Sequence, residues 1–380
     1  MTEVRITPVS DFSVLAARWR ALEARADGSF FQSWTWVGCL AAERYTDPML
    51  VEAVENGRTV ALGLFNRVRR RMGPDRWYLH ETGDPATDCP YIEQNGFLAE
   101  TGRAAELSAL CLRALLRRHE VMLSGADPQT AAVAGGLAGL AVTLREQDSP
   151  VLDLCAVRRR GGDFLAGRSA NTRRQIRQSD RYYGAWGTLS TRRAGTVAEA
   201  WAMLEQMAEM HQAVWAARGM PGSFARPFFR RFHRCLIETG LERGEIVLLT
   251  IRAGETVVGV LYNFVWRGRM LAYQSGFAYQ PGENRARPGL TCHHAAIRMA
   301  LAEGCVAYDF LAGADRYKRS LADGAHRQFW LLAGPVWSPA LAARRIAAGL
   351  AARPSVRCLR RRLEWSGQRG AGAELNGDDV

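Results

Sequence analysis

Apolar residues recur along this chain with two periods, and each period predicts a different kind of element. Short apolar runs bounded by turn residues predict strands, and Asn56-Gly57 between two such runs predicts a hairpin with a tight turn. A second hairpin is expected across Ala253-Gly254-Glu255. The predicted strands are Val4 to Thr7, Leu50 to Val54, Thr59 to Phe65, Trp77 to His80, Val121 to Leu123, Trp186 to Arg192, Ile246 to Ile251, Val257 to Trp266, Met270 to Phe277 and Val306 to Phe310.

Runs with apolar residues three and four positions apart predict amphipathic helices. The longest is Val197 to Arg218, in which Trp201, Leu204 and Met207 lie on one apolar stripe. The other predicted helices are Phe12 to Ala24, an aromatic helix from Trp34 to Leu40 with Ser33 as its N-cap, Glu106 to Arg118, Asp163 to Tyr182, Phe228 to Ile237 and Leu290 to Glu303.

The order of elements is similar in the two halves of the chain: helices, an antiparallel hairpin, another strand, a helix and a strand. This order predicts a duplicated α+β unit, and 380 residues suit two domains. The chain is expected to cross between them near Asp148-Ser149-Pro150, which gives domains over 1–150 and 151–338. Residues 339–380 form an Arg- and Ala-rich tail, and Gly367 to Val380 is predicted to be disordered.

Composition narrows the class of protein. A hydrophobic content of 48% with 23% charged residues is typical of a globular chain. No apolar run is long enough for a membrane-spanning helix, and the first residues lack a signal-peptide pattern, so we expect a cytoplasmic protein. The eight cysteines include no Cys-x-x-Cys pair, so neither a zinc site nor a disulfide framework is expected.

The net charge is +12, which favours anionic partners: nucleotide phosphates, RNA or an acidic membrane surface. Arginines cluster in Arg67 to Arg71, Arg158 to Arg160 and Arg168 to Arg181, and such clusters are also typical of a solvated surface. The tail segment Arg353 to Trp365 is a candidate for weak association with an anionic membrane. Its few large apolar residues favour a solvated extension instead.

Lys318 is the single lysine among fifty basic residues. Arginine does not replace lysine where a compact primary ammonium is needed, so this position is a candidate for chemistry. The alternative is that this one lysine persists at a surface position by chance and has no chemical role. Its neighbourhood, from Tyr308-Asp309-Phe310 through Asp315 and Tyr317, carries several polar residues just after a predicted strand.

Two further patches carry candidate chemistry. The helix that follows Arg287-Pro288-Gly289 begins with backbone N–H groups that lack intrahelical partners, and such a terminus can hold a phosphate. Proline there is equally typical of an ordinary helix start. His211 and Trp215 lie four residues apart on one helix face, beside a Gly- and Pro-rich turn, although a structural role suits both residues as well.

Together these segments resemble a known family. Asn171 to Arg177, His211-x-x-x-Trp215-x-x-x-Gly219, Tyr273 to Gly276, Pro288-Gly289 and Asp309 to Lys318 occur in the order found in the CelD-type acetyltransferases. That group is part of the GNAT superfamily and is akin to the Fem-type peptidyltransferases, which carry two GNAT folds in tandem. The resemblance is clear over roughly residues 150 to 335 and looser in the first half.

The resemblance implies a fold and a reaction. It implies an α+β fold of two tandem GNAT-like domains, the first degenerate, each a mixed, mostly antiparallel sheet flanked by helices. It implies transfer of an acyl group from acyl-CoA, with acetyl-CoA as the expected co-substrate and no metal. The donor would lie between two splayed strands, with its pyrophosphate held by Arg287, Pro288, Gly289, Leu290 and Thr291. The glycine-rich loop of single-domain GNATs is reduced here to Arg287-Pro288-Gly289-Leu290.

Roles can be carried onto individual residues. Lys318 would supply positive charge to a donor phosphate or to a developing oxyanion, and Asp309 or His211 would act as the base. A structural role as a loop cap suits Asp309 equally well. Tyr317 would donate a proton to the leaving thiolate. The residues expected to bind substrate are Trp215, Tyr273, Asn171 and Arg173.

Three functions remain open from the sequence. The first is an N- or O-acyltransferase that acts on a small molecule or on a polysaccharide- or envelope-related acceptor. The second is a Fem-like transferase with aminoacyl-tRNA as the donor, which the basic charge suits. The third is a non-catalytic accessory protein of polysaccharide biosynthesis. Acceptor identity, acyl chain length and oligomeric state are not encoded in any local pattern.

Overall fold

The computed structural model describes residues 1–313 and 316–351. The predictions that concern Asp315, the arginines of Arg353 to Trp365 and the disorder of Gly367 to Val380 therefore lie outside the described residues. Within the described residues the fold is α+β, with one large, mostly antiparallel sheet flanked by helices, as expected.

The strands are β1 Glu3–Pro8, β2 Pro48–Glu55, β3 Arg58–Val68, β4 Arg76–Leu79, β5 Leu98–Ala99, β6 Glu120–Ala126, β7 Leu140–Asp153, β8 Leu189–Arg193, β9 Ile246–Ala253, β10 Thr256–Trp266, β11 Arg269–Phe277, β12 Ala307–Asp309 and β13 Gly324–Gly334. The helices are α1 Phe12–Glu23, α2 Trp34–Val37, α3 Ala41–Arg44, α4 Ala104–Leu116, α5 Pro128–Leu137, α6 Leu154–Arg159, α7 Ala170–Gly184, α8 Val197–Ala217, α9 Pro227–Gly240, α10 Pro288–Ala302, α11 Arg316–Leu321 and α12 Pro339–Ala351.

Local patterns predicted both hairpins correctly. Asn56 and Gly57 both have positive φ, 49° and 77°, which is the conformation that the two-residue turn between β2 and β3 requires. Ser33 accepts a hydrogen bond from the Trp36 N–H and caps α2, as expected. The aromatic helix is shorter than predicted, because Gly38 ends α2 at Val37 and Leu40, at φ 51°, starts a separate turn of helix.

The sheet contains two similar sets of strands in mirrored order. Its order is β1-β2-β3-β4-β6-β13-β7-β12-β11-β10-β9-β8, so each strand of the first half on this path has a counterpart in the second, while the two-residue β5 pairs with β3 off the path. The last strands are exchanged: β13 pairs with β6 of the first half, and β7 pairs with β12 of the second. These two strands also pair with each other over eleven registered positions, from Gly324 with Val151 to Gly334 with Leu140. The boundary expected near residue 150 therefore falls inside a strand shared by both halves.

An aromatic cluster joins the halves away from this central pair. Phe30 of the first half stacks on Phe264 of β10 with ring centroids 4.2 Å apart, and Trp36 meets Tyr273 of β11 at 5.8 Å. Trp36 and Phe30 are fully buried, and burial of one such ring contributes about 2 kcal/mol. The apolar run from Phe30 to Trp36 is thus the contact surface between the halves.

No helix in the described part of the chain has the length and apolar character needed to cross a membrane.

Candidate functional site

The site begins where two neighbouring strands separate. β11 and β12 run parallel but pair only from Arg269–Leu271 to Ala307–Asp309. The register between β10 and β11 shifts at Tyr273, since Tyr262 pairs with Gln274 and Asn263 with Ala272. Tyr273 is therefore the extra residue of a β-bulge, a feature that bends a strand and re-aims its side chains. Beyond the bulge, residues 274–277 of β11 pair with β10 only, and residues 272–277 border a cavity.

This first cavity has a volume of about 460 Å³ and draws residues from both halves. We call it the reaction cavity. Its described lining includes, from the first half and β7, Tyr91, Glu93, Arg145 and Gln147, and, from the second half, His211, Val214, Trp215, Arg218, residues 272–277, Tyr279, His293, residues 310–312, Tyr317, Lys318 and Trp330.

A second cavity of about 570 Å³ lies at the start of α10, and we call it the donor cavity. Pro288 occupies the first turn of α10, and no side chain caps that end of the helix. Arg287, Pro288, Gly289 and Leu290 line the donor cavity, together with Asn171 of α7. Phe277, Tyr279 and Tyr317 line both cavities, which are therefore adjacent at this point.

Helix α7 fixes the position of this helix end. The Ser179 hydroxyl donates to the Arg287 carbonyl at 3.0 Å and accepts from the Arg287 N–H at 3.1 Å. The Thr291 hydroxyl donates to the Asp180 carboxylate at 2.9 Å. Thr291, expected to bind the donor, instead anchors α10 to α7.

Lys318 and Tyr317 lie on the short helix α11, and both line the reaction cavity. The Lys318 Nζ donates to the Ala312 carbonyl at 3.2 Å, which ties the helix to the loop after β12. The Tyr317 ring stacks on His293, with centroids 5.4 Å apart and planes 25° apart. Burial lowers the pKa of His293 to about 3, so that ring is a neutral platform at physiological pH. Tyr317 therefore stands at the junction of the two cavities, where an acyl group would pass between donor and acceptor.

His211 and Trp215 form a hydrogen-bonded pair on α8. The Trp215 indole N–H donates to His211 Nε2 at 2.9 Å, and burial lowers the pKa of His211. The imidazole is therefore neutral with its proton on Nδ1. A role for His211 as a base would require the bond to Trp215 to break, because that bond uses the basic nitrogen.

Asp309 is fully buried, and both of its carboxylate oxygens are occupied. Oδ1 accepts from the Ser149 hydroxyl at 3.0 Å and from the Leu311 N–H at 2.9 Å. Oδ2 accepts from Gln94 Nε2 at 2.8 Å and from Arg269 at 3.2 Å. This arrangement positions the ends of β7 and β12.

The structure thus brings most of the expected residues together and separates three of them. Lys318, Tyr317, His211, Trp215 and Tyr273 line the reaction cavity, while Asn171, Arg287, Pro288, Gly289 and Leu290 line the donor cavity. Asp309, Thr291 and Arg173 are not among the described residues that line either one. Arg173 donates instead to the Arg168 carbonyl at 2.7 Å, within its own segment.

Glu93 is a residue of the site that sequence reasoning did not single out. This residue is only 6% exposed, yet it lines the reaction cavity together with Lys318. Burial raises the pKa of its carboxyl group to about 7. No motif or periodic pattern includes Glu93, since nothing in the local sequence places it beside the second half.

The first half has a similar gap between strands, and its own chain fills it. β4 and β6, the counterparts of β11 and β12, pair in parallel from Arg76 to Tyr78. Asn95 enters between them: its N–H donates to the Gly125 carbonyl at 2.9 Å and its side-chain amide to the Leu79 carbonyl at 3.0 Å. Insertion of Asn95 explains how the first half lacks an open gap at this position.

Gly276 allows α8 to approach β11 closely. A Cβ at this position would lie 2.5 Å from the Met207 carbonyl oxygen, a backbone atom that moves only with its helix. We expect Gly276→Ala to lower the free energy of unfolding by about 1–3 kcal/mol, the usual cost of overpacking. Urea denaturation measures this change. Gly184→Ala, where a Cβ meets no atom within 4 Å, is the matched control, and equal midpoints for the two variants would contradict the prediction.

Comparison with known proteins identifies the kind of domain that contains these cavities. Residues 170–319 match the family model described as acetyltransferase (GNAT) domain. The chain therefore contains an acyltransferase domain. The match spans α7 to α11, the elements that form the donor cavity and carry Tyr317 and Lys318. No curated protein matches the chain.

Solved structures with a similar fold cover nearly the whole chain. FemX is 8% identical with a TM-score of 0.56, over 86% of this chain and 96% of FemX. L-PGS from Bacillus licheniformis is 11% identical with a TM-score of 0.52, over 89% and 97%. The C-terminal domain of an Agrobacterium fabrum protein assigned as a lysylphosphatidylglycerol synthetase has the same identity and TM-score, over 90% and 97%. At such identities the similarity establishes the fold alone.

Proposed function

We propose that this protein transfers an acyl group, most simply acetyl, from a CoA thioester to an amine or hydroxyl of an acceptor. The observation that carries the proposal is the separation of β11 and β12 at the Tyr273 bulge, beside the start of α10 and two adjacent cavities. The CelD-type resemblance supports an acceptor among small molecules or glycans, including polysaccharide and envelope precursors.

The residues present suit a CoA ester. The start of α10 lines the donor cavity, so the positive end of its helix dipole favours an anion there, and Arg287 and Arg316 add positive charge. The unpaired edge of residues 272–277 in β11 offers backbone groups to the amides of a pantetheine arm, much as a sheet edge binds an added strand. A thioester bound in this way would supply an activated acyl carbon near Tyr317.

The side chains around that point have roles that follow from their chemistry. The Lys318 ammonium would stabilise negative charge on the thioester carbonyl oxygen as the acceptor attacks. The Tyr317 hydroxyl, on the neutral His293 platform, would supply a proton to the leaving sulfur. Trp215, fixed by its bond to His211, forms an apolar wall of the reaction cavity that limits access of water.

Isothermal titration with CoA and acetyl-CoA tests donor binding directly. We expect saturable binding by the wild type and an affinity lower by about tenfold or more in Arg287→Ala, because hydrogen bonds to charged groups contribute about 1.5–3 kcal/mol. Arg285→Ala is the matched control, since Arg285 is exposed and its one ion pair within residues 1–313 and 316–351 is a 3.9 Å contact with Glu283. Absence of saturable binding in the wild type would rule out a CoA donor.

A second candidate donor is aminoacyl-tRNA. Arg174, Arg177 and Arg181 lie exposed along α7, none has a carboxylate partner among the described residues, and Asn171 at the start of α7 lines the donor cavity. The Fem-type resemblance and the aminoacyl-lipid synthesis named for a protein of similar fold agree with such a donor. Binding of tRNA that weakens steeply with salt, without CoA binding, would favour this candidate. A non-catalytic accessory protein would show neither kind of binding and no turnover.

A further inference from the structure

We propose that Glu93, contributed by the first half of the chain, is the catalytic residue that removes the proton from the acceptor nucleophile in the reaction cavity. This inference rests on the proposed acyl transfer and names the base of that reaction.

Glu93 is held by one of its two carboxylate oxygens. Oε2 accepts from the Ala312 backbone N–H at 2.7 Å and from Gln328 Nε2 at 2.7 Å. Oε1 takes part in no hydrogen bond with the described residues, and Glu93 lines the reaction cavity. One oxygen therefore fixes the carboxyl group, while the other remains available to an incoming N–H or O–H.

The backbone around Glu93 is fixed on both sides. The Gln94 backbone N–H donates to Gln328 Oε1 at 3.2 Å. The side-chain amide of Gln328, on β13, therefore binds both Glu93 and Gln94. The Gln94 side chain reaches the Asp309 carboxylate, and Asn95 is bonded between β4 and β6. The same insertion that fills the gap in the first half thus delivers Glu93 to the open gap in the second. A base held so firmly is pre-positioned for its substrate.

The electrostatic surroundings suit proton transfer near neutral pH. Burial, with a smaller contribution from the buried Asp309, raises the pKa of Glu93, while the two N–H donors and the Lys318 ammonium oppose the rise, and the resulting pKa is about 7. The other titratable groups that line the cavity near it are the Tyr91, Tyr273 and Tyr317 phenols, the neutral His211 and His293, and the Arg145 and Arg218 guanidinium groups. A base is most effective when its pKa lies near the working pH.

The two bases expected from the sequence are less available. Each oxygen of Asp309 already accepts two hydrogen bonds, and His211 Nε2 accepts from Trp215. Glu93 has an open oxygen without any rearrangement.

The acceptor nitrogen or oxygen attacks the thioester carbonyl carbon, forming a C–N or C–O bond, and its proton moves to Glu93 Oε1. The C–S bond then breaks with the electron pair on sulfur, and the thiolate takes up a proton from the Tyr317 hydroxyl, which becomes a phenolate. Transfer of the proton from Glu93 to the Tyr317 phenolate, through solvent in the emptied cavity, restores both side chains, so that the products are the acylated acceptor and free CoA thiol.

Glu93→Gln tests this role, because the glutamine amide oxygen can still accept from Ala312 and Gln328 while the base is lost. With acetyl-CoA as donor and a panel of amino acids and amino sugars as acceptors, we expect kcat to fall by about 10²-fold or more. CoA affinity and the thermal midpoint should stay at wild-type values. The wild-type rate should rise with pH through about 7, as the carboxyl ionises, and Glu93→Gln should lose that rise. Glu303→Gln, on an exposed helix end, is the control.

Glu93→Asp separates catalysis from structure. It keeps a carboxylate, so we expect it to retain the pH dependence with a lower kcat, whereas a purely structural role predicts no advantage over Glu93→Gln. An infrared difference titration of wild type against Glu93→Gln locates the carboxyl without any acceptor, and ionisation near pH 4 would overturn the proposal. Wild-type kcat and pH profile in Glu93→Gln would overturn it as well. If CoA does not bind the wild type at all, the proposed donor fails with it, which the titration reveals separately.

Discussion

Lys318→Ala is expected to lower acyl transfer by about 10²-fold or more while leaving the unfolding midpoint close to that of the wild type. Loss of a single preorganised positive group that stabilises a developing oxyanion has an effect of this size. Lys318 is only partly buried at the third position of the six-residue helix α11, and its bond to the Ala312 carbonyl joins residues only six positions apart. The chain should therefore fold normally without it.

Release of free thiol from acetyl-CoA measures the rate, and thermal melting measures stability. Lys318→Arg keeps the charge but replaces a compact ammonium by a broad planar group, so we expect it to recover only a small part of the activity. The neighbouring Arg319→Ala, at an exposed position of the same helix, should behave like the wild type. Wild-type turnover in Lys318→Ala would remove this residue from the catalytic machinery.

Asp309→Ala is expected to lower the free energy of unfolding by about 3–5 kcal/mol. Its side chain accepts four hydrogen bonds in a fully buried position, including one from Arg269. Removal would take away the acceptor that Asp309 provides to the Ser149 hydroxyl and the Gln94 amide, and the carboxylate partner of Arg269, at the point where β7, β12 and the Glu93 segment meet.

Urea denaturation of Asp309→Ala, with the exposed Glu303→Ala as control, separates the two roles that this aspartate can have. A structural role predicts a large loss of stability for Asp309→Ala and a smaller one for Asp309→Asn, which keeps an oxygen acceptor. A purely catalytic role predicts full stability with no turnover, and that result would contradict the assignment made from the hydrogen bonds.

The sequence determined the elements and their duplication. Hairpin turns, capping residues and apolar stripes are local properties, so the Asn56-Gly57 turn, the Ser33 cap and the long helix α8 could be predicted from neighbouring residues alone. The sequence also singled out Lys318 and the start of α10, because a rare residue and an uncapped helix beginning are visible in one short segment.

Only the tertiary structure determines how the two halves pack together and form one site. β7 and β13 carry polar runs that hide their strand character, and they pair with each other across 11 positions at long range. Because these two strands are exchanged, residues of both halves line the reaction cavity. It also brings Gln328 to Glu93, residues 235 positions apart in the chain. Thr291 and Asp309 proved to be anchors because burial and hydrogen-bond partners, which depend on the packing of distant segments, determine what a polar side chain does.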